Sequence, residues 1–195
     1  MAAQTRDSIA AAVGCSCITF SRMPACTGAE QAVLVGGIGG ARKRDERPPG
    51  PCAQSKRDYF AKPEAGKRRM VFDDSVASVL ASGQGVGIDA AGDGYEDAFH
   101  FHPTPGHCTG HMSITLHSAG ETAIFTGDAM HSPVQVYHPE WNSAFCREQD
   151  GARASRRWLL DYAYAHKATV FTAHFGASLA GVVSREGSDY GWRFL

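Results

Sequence analysis

The sequence predicts an α/β layered domain. Short apolar stretches with a period of two alternate with stretches of helical period, and turn residues punctuate them. In addition, His and Asp residues recur just beyond several strand ends.

Asp73 and Asp74 are candidate N-caps for a helix through Ser75–Ser82, which Gly83 ends. Phe99-His100-Phe101-His102 alternates apolar and polar, as a half-buried strand does, and Pro103-Thr104-Pro105-Gly106 forces a turn. Met112–Leu116 alternates again, with Ile114 and Leu116 on one face, and Gly120 marks a turn. Thr122–Thr126 reads as a short strand that stops at Gly127-Asp128. Asp150 is placed to cap a helix whose stripe is Trp158, Leu159, Tyr162 and Ala163. Thr169–Ala173 reads as a buried strand ending at His174. Gly181–Val183 and Tyr190–Phe194 flank Glu186-Gly187-Ser188-Asp189 as a closing hairpin.

The length of 195 residues suits one domain with a sizeable core. Nineteen Lys and Arg against 20 Asp and Glu argue against a nucleic-acid or membrane-surface protein, which needs a basic face. No apolar run approaches the roughly 20 residues that cross a bilayer, and Met1–Phe20 lacks the layout of a signal peptide. The six cysteines form no familiar disulfide framework, so free thiols in a cytoplasmic protein are expected. Composition changes near residue 55. Residues 1–54 are rich in Ala, Gly, Cys and Pro, with a charged run broken at Pro48-Pro49, and are expected to be irregular or disordered. Residues 55–195 read as the folded domain.

His107, Asp128 and His174 share one setting, each in a loop at or just beyond a strand end, where a rigid sheet presents reactive groups. Imidazole and carboxylate are ligands that a catalytic zinc prefers. Each residue alone reads equally as a turn or surface residue; the recurrence is what points to a site.

Thr104-Pro105-Gly106-His107-Cys108-Thr109-Gly110-His111 resembles the TPGHTPGH signature of metallo-β-lactamase-fold hydrolases, departing from it at Cys108 and Thr109. Phe125-Thr126-Gly127-Asp128 matches the family's GD motif, and Phe171-Thr172-Ala173-His174-Phe175 resembles its final histidine motif. Gly127–His131 through Gln135–Asn142 further resembles the lactonase-like and organophosphate-hydrolase-like branch. The resemblance spans about residues 55–195 and implies an αββα sandwich, here incomplete and mainly its C-terminal half. It also implies up to two Zn2+ ions. His107 would serve the first, Asp128 would bridge both, and His174 would serve the second. A metal-bound hydroxide would attack an ester, lactone or related bond of a small-molecule substrate. His131, Tyr137 and Trp141 are candidate pocket residues; a loop position for His131 and ordinary core packing for the aromatics stay open. A homodimer stays open too.

The family's H-x-H-x-D-H motif is absent, since no histidine precedes His100. Four of the seven ligands go with it, so zinc binding is expected to be weak or absent and hydrolysis impaired, and the first sheet is expected to be largely missing. His100 and His102 lie on the strand leading into His107 and cannot mimic a separate loop. Two accounts fit: a frameshifted or truncated upstream sequence, which the composition change favours, or a degenerate remnant that binds without catalysing. His111 is expected to brace its loop, Cys108 to be structural, His138 and His166 to be solvated, and Arg153, Arg156 and Arg157 to form a solvated helix face.

Overall fold

The computed structural model describes residues 50–195 apart from Gln84, Ala90, Glu96 and Ala177. The expected Val33–Val35 strand, the Cys15-Cys17 pair and most of the segment expected to be irregular lie outside the described residues. The last part of that segment, Gly50–Ala53, is strand β1. The chain divides into two compact units, one containing 57–88 and the other 89–195.

The first unit holds most of helix α1 (Gln54–Phe60), a 3-10 turn over Pro63–Arg68, and a helical run. That run comprises α2 (Arg69–Phe72), a π-turn over Asp73–Ala77 and α3 (Ser78–Ala81). The helix therefore begins before Asp73, which does not cap it. Instead the Asp73 carboxylate accepts a hydrogen bond from Arg69 Nε one turn back, at 3.3 Å. Gly83, at φ 74°, ends the run as its sequence position predicts. Phe60 stacks on Phe72 at 5.1 Å. Strand β2 (Gly85–Ile88) pairs with β1.

The second unit is built on one seven-stranded sheet in sequence order, β3 to β9. Its strands are β3 (Asp93–Tyr95), β4 (Phe99–Pro103), β5 (Met112–Ser118), β6 (Glu121–Phe125), β7 (Thr169–Phe171), β8 (Ala180–Glu186) and β9 (Asp189–Phe194). All neighbours are antiparallel except β6 and β7, which run parallel. A parallel pair needs a long crossover, and here it carries the short α4 (Val134–Tyr137) and the 17-residue α5 (Gln149–Ala165). Contrary to simple alternation, β5 buries four consecutive residues, Ser113 to Leu116, so both of its faces are covered there.

Register places the site. Phe125 at the end of β6 lies opposite Ile114 near the start of β5 and opposite Phe171 at the end of β7. The loops 104–111, 126–131 and 172–176 therefore emerge at one end of the sheet. Beneath them lies a core of Ile124, Met130, Val136, Leu159, Leu160 and Val170, all fully buried. Each such side chain contributes about 1.5–3 kcal/mol by leaving water.

Helix α5 buries Leu159 and Ala163 of its expected face but not Trp158. Its buried residues are Ala152, Ser155, Arg156, Leu159, Leu160 and Ala163, an i, i+3, i+4 stripe. Trp158 lies at the edge of that stripe, about a third exposed, against the His102 ring at 5.0 Å. The N-cap position is Glu148, with Asp150 in the first turn paired to Arg153.

The 104–111 loop docks on the start of α5. Gly106 C=O accepts from Glu148 N–H at 2.9 Å, and Ser155 Oγ–H donates to Pro105 C=O at 2.7 Å. Gly106 sits at φ +126°, and a Cβ there would lie 2.1 Å from the Ala152 nitrogen. Gly106→Ala is expected to destabilise the chain by about 3 kcal/mol, through forbidden backbone and clash together, read as a shift in the urea midpoint.

Candidate metal centre

The three loops bring His107, Asp128 and His174 into contact. Asp128 stands in a 3-10 turn right after β6, where Gly127 takes φ 53°. Its carboxylate is shared between two imidazoles. His107 Nε2 lies 3.2 Å from Oδ2, and His174 Nε2 donates to Oδ1 at 2.7 Å. His107 is buried, whereas His174 is nearly a third exposed at its side chain. The β7 strand ends at Phe171, so His174 sits in the following loop and not on the strand end itself. Burial alone pushes the Asp128 carboxyl up. The hydrogen bond from His174 and the charges of His107 and His174 outweigh it and hold the group below the usual carboxylate range.

His111 braces this arrangement from below. Its Nε2 accepts the Asp128 backbone N–H at 3.0 Å, which fixes the proton on Nδ1. Nδ1 lies 2.7 Å from Thr104 Oγ1 and 3.0 Å from Thr104 C=O, both acceptors for that proton. Thr104 Oγ1 then meets Ser113 Oγ at 3.1 Å, and Ser113 donates to Thr126 C=O at 3.2 Å. All four residues are buried. The relay ties the loop before β5 to the loop after β6, so the bracing expected of His111 is what the structure shows.

Arg156 is the residue whose place the sequence reading missed. Expected on a solvated helix face, it is fully buried. Its Nε donates to Ala129 C=O at 3.2 Å, and its terminal nitrogens donate to Pro139 C=O and to Asn142 Oδ1. It pins both ends of the segment that follows Asp128.

His131 joins the cluster. Its ring stacks on His174 at 5.0 Å and 9°, and lies 5.0 Å from the His107 ring. Asp128, His131 and His174 each offer one donor atom, all within 4.8 Å of one another. Burial, with the charges of His107 and His174 and against that of Asp128, pushes the His131 imidazole down to about 4.

Tyr137 and Trp141 are placed apart from this group. Tyr137 Oη donates to Trp192 C=O at 3.4 Å and lines a cavity of about 670 Å³ with His138, Glu140, Arg157, Asp189 and Tyr190. Trp141 stacks on His138 at 4.3 Å, and both are exposed. Phe145 is the aromatic that reaches His131, at 6.3 Å. Cys108 and Cys146 are buried and in no disulfide.

The residues present fit one divalent ion. A tetrahedral zinc at 2.0–2.1 Å from its ligands sets them roughly 3.3 Å apart, a modest contraction from the spacing observed. A second ion of the kind the family implies would need donors from the absent motif, and no histidine precedes His100.

A family model described as the metallo-beta-lactamase superfamily matches residues 38–174, well over half of the chain. Among solved structures, the hydrolase AbOPH of the beta lactamase superfamily superposes with a TM-score of 0.65 at 21% identity, over 74% of this chain and 54% of that one. The dizinc quorum-quenching lactonase AidC, solved with its product, gives 0.58 at 20%, over 74% and 54%. A probable metal-dependent hydrolase from Staphylococcus aureus gives 0.61 at 18%, over 73% and 51%. At such identities the likeness shows the fold, and the chain spans about half the length of the solved structures it matches. No curated protein matches the chain. Among the described residues, no helix is long and apolar enough to cross a membrane.

Two outcomes are expected here. His111→Leu leaves the Asp128 N–H and the Thr104 hydroxyl without their buried partner and destabilises the chain by about 2–4 kcal/mol in urea. The second concerns pH. Folded His131 takes its proton near 4 and the unfolded chain near 6.5, so the unfolded state binds more protons between those values. This component of stability is full above pH 6.5 and is lost as pH falls toward 4. With a chelator present, the wild type should lose more stability than His131→Phe between pH 7 and 4.5. Asp128 does not confuse the comparison, because its loss lies below 3.8.

Proposed function

Because the chain belongs to the metallo-β-lactamase superfamily, we propose that it is the metal-binding half of a hydrolase centre acting on an ester, lactone or related bond of a small molecule. The observation that carries this reading is the Asp128 carboxylate, which presents one oxygen to His107 and the other to His174. Half-buried, anionic and flanked by imidazoles, it is built to hold a cation of zinc type. A bound zinc acts as a Lewis acid on a substrate oxygen and lowers the pKa of water. His107, Asp128 and His174 would hold the ion. His111, through the Asp128 backbone, and Arg156, through the segment beyond, keep the carboxylate aimed. The open side at His174 admits the substrate.

A second reading is favoured by one specific observation. The H-x-H-x-D-H motif is absent, so the site as it stands has fewer donors than the family pattern. In that reading the chain is a non-catalytic remnant that binds a small molecule or a partner.

The two separate in a turnover assay of the full chain on an aryl ester and an N-acyl homoserine lactone, with and without added zinc. The hydrolase reading expects zinc-dependent turnover, lost with a chelator and lowered at least about 100-fold by Asp128→Asn. Turnover equal to buffer with zinc present, in a chain that is folded, would leave the binding reading.

A further inference from the structure

We propose that His131 is a metal ligand in this chain, and that Asp128, His131 and His174 together hold a single divalent transition-metal ion. The inference rests on the reading of Asp128 and His174 as ligands and adds His131 as a donor, with a stoichiometry of one ion.

The first support is geometric. The donor atoms of the three residues lie within 4.8 Å of one another, and the two imidazole rings are nearly parallel. Small side-chain rotations bring three donors at this spacing to the roughly 3.3 Å separation of tetrahedral zinc ligands. The backbone beneath the ring is held by hydrogen bonds, whereas the ring itself makes none among the described residues. His131 N–H donates to Gln135 Oε1 at 2.7 Å, and Gln135 Nε2 donates to Trp141 C=O at 2.8 Å. Rotation about the side-chain bonds therefore aims the ring without moving the loop.

The second support is independent of that spacing. Both ring nitrogens of His131 are buried, and neither has a hydrogen-bond partner among the described residues. A buried donor or acceptor left unsatisfied costs about 1–3 kcal/mol, so a ring placed for packing alone would be better served by phenylalanine. What a histidine offers at this position is a lone pair directed at the cluster.

The third support is the donor inventory. The chain has nine histidines, all from His100 onward. His102 is committed to Thr115 at 2.9 Å on another part of the sheet, His111 is used on both nitrogens, His100 and His117 are exposed and pair with each other, and His138 and His166 are exposed. Imidazole donors near Asp128 are thus His107, His131 and His174. One carboxylate with these rings makes a nitrogen-rich site for one ion of the zinc, cobalt or nickel type.

The test is a titration of the full-length chain, stripped by chelator, with Co2+. It is followed by visible absorption and by elemental analysis of the dialysed product. Saturation at one equivalent is expected. His131→Phe keeps the ring and its stacking but removes both nitrogens, and is expected to weaken Co2+ at least about 30-fold. Its melting temperature without metal should equal or exceed the wild type, an outcome that a structural histidine would not give. His131→Gln, read the same way, covers the case in which the Phe variant does not fold. Binding by the His131 variants as tight as wild type, with Asp128→Asn or His174→Ala abolishing it, would overturn the role of His131 and leave Asp128 and His174 as ligands. Two equivalents in the wild type would overturn the single-ion stoichiometry. No Co2+ binding by the wild type would overturn the metal reading altogether.

Discussion

The candidate site hangs on one buried imidazole. His111 accepts the Asp128 N–H with one nitrogen and offers its proton to Thr104 with the other, and Thr104 continues through Ser113 to Thr126. In water these groups would be indifferent to one another. In the interior, each donor left without its acceptor costs more than the bond itself contributes, so the relay stands or falls as a unit. It joins two loops that the β5–β6 pairing brings to the same end of the sheet, and it converts strand register into a fixed position for a carboxylate.

Arg156 does the corresponding work on the far side. A buried guanidinium is costly unless its donors are used, and here they go to backbone carbonyls of Ala129 and Pro139 and to Asn142. These bonds hold the two ends of a segment that sends Met130 and Val136 into the core. Asp128 is thus braced from below by His111 and from its C-terminal side by Arg156, while its oxygens face His107 and His174. The parallel pairing of β6 with β7 supplies the last loop, because it sends both strand ends the same way.

Much of this was legible in the sequence. The β4–β9 strands, the crossover helix and the trio His107, Asp128, His174 follow from alternation, turn residues and a recognisable motif. What was not legible has physical reasons. The stripe expected on α5, Trp158, Leu159, Tyr162 and Ala163, shares Leu159 and Ala163 with the buried face, to which burial adds Ala152, Ser155, Arg156 and Leu160. A 3.6-residue period starting from Ala152 places Arg156 inward, but its charge argues against that until its carbonyl partners are known. The helix near Asp73 starts early because Arg69 engages that carboxylate one turn ahead, an interaction that a capping rule does not see. Tyr137 and Trp141 share a segment with His131, yet a short helical turn directs them to other surfaces.

The cation proposed at Asp128 would also answer an electrostatic problem in the cluster. Three imidazole rings approach one carboxylate, with His131 about 5.0 Å from both His107 and His174. If the rings were protonated, one negative charge would face several positive ones; if they were neutral, the two buried ring nitrogens of His131 would still lack a hydrogen-bond partner among the described residues. Burial already drives His131 toward its neutral form, which removes repulsion at the expense of two unsatisfied nitrogens. A divalent ion resolves both problems together, because it takes the lone pairs of neutral imidazoles and the charge of the carboxylate in a single set of bonds. Apolar side chains at these positions would make a more stable fold without any ion. The sequence carries histidines instead, and on the proposed reading ion binding offsets their stability cost.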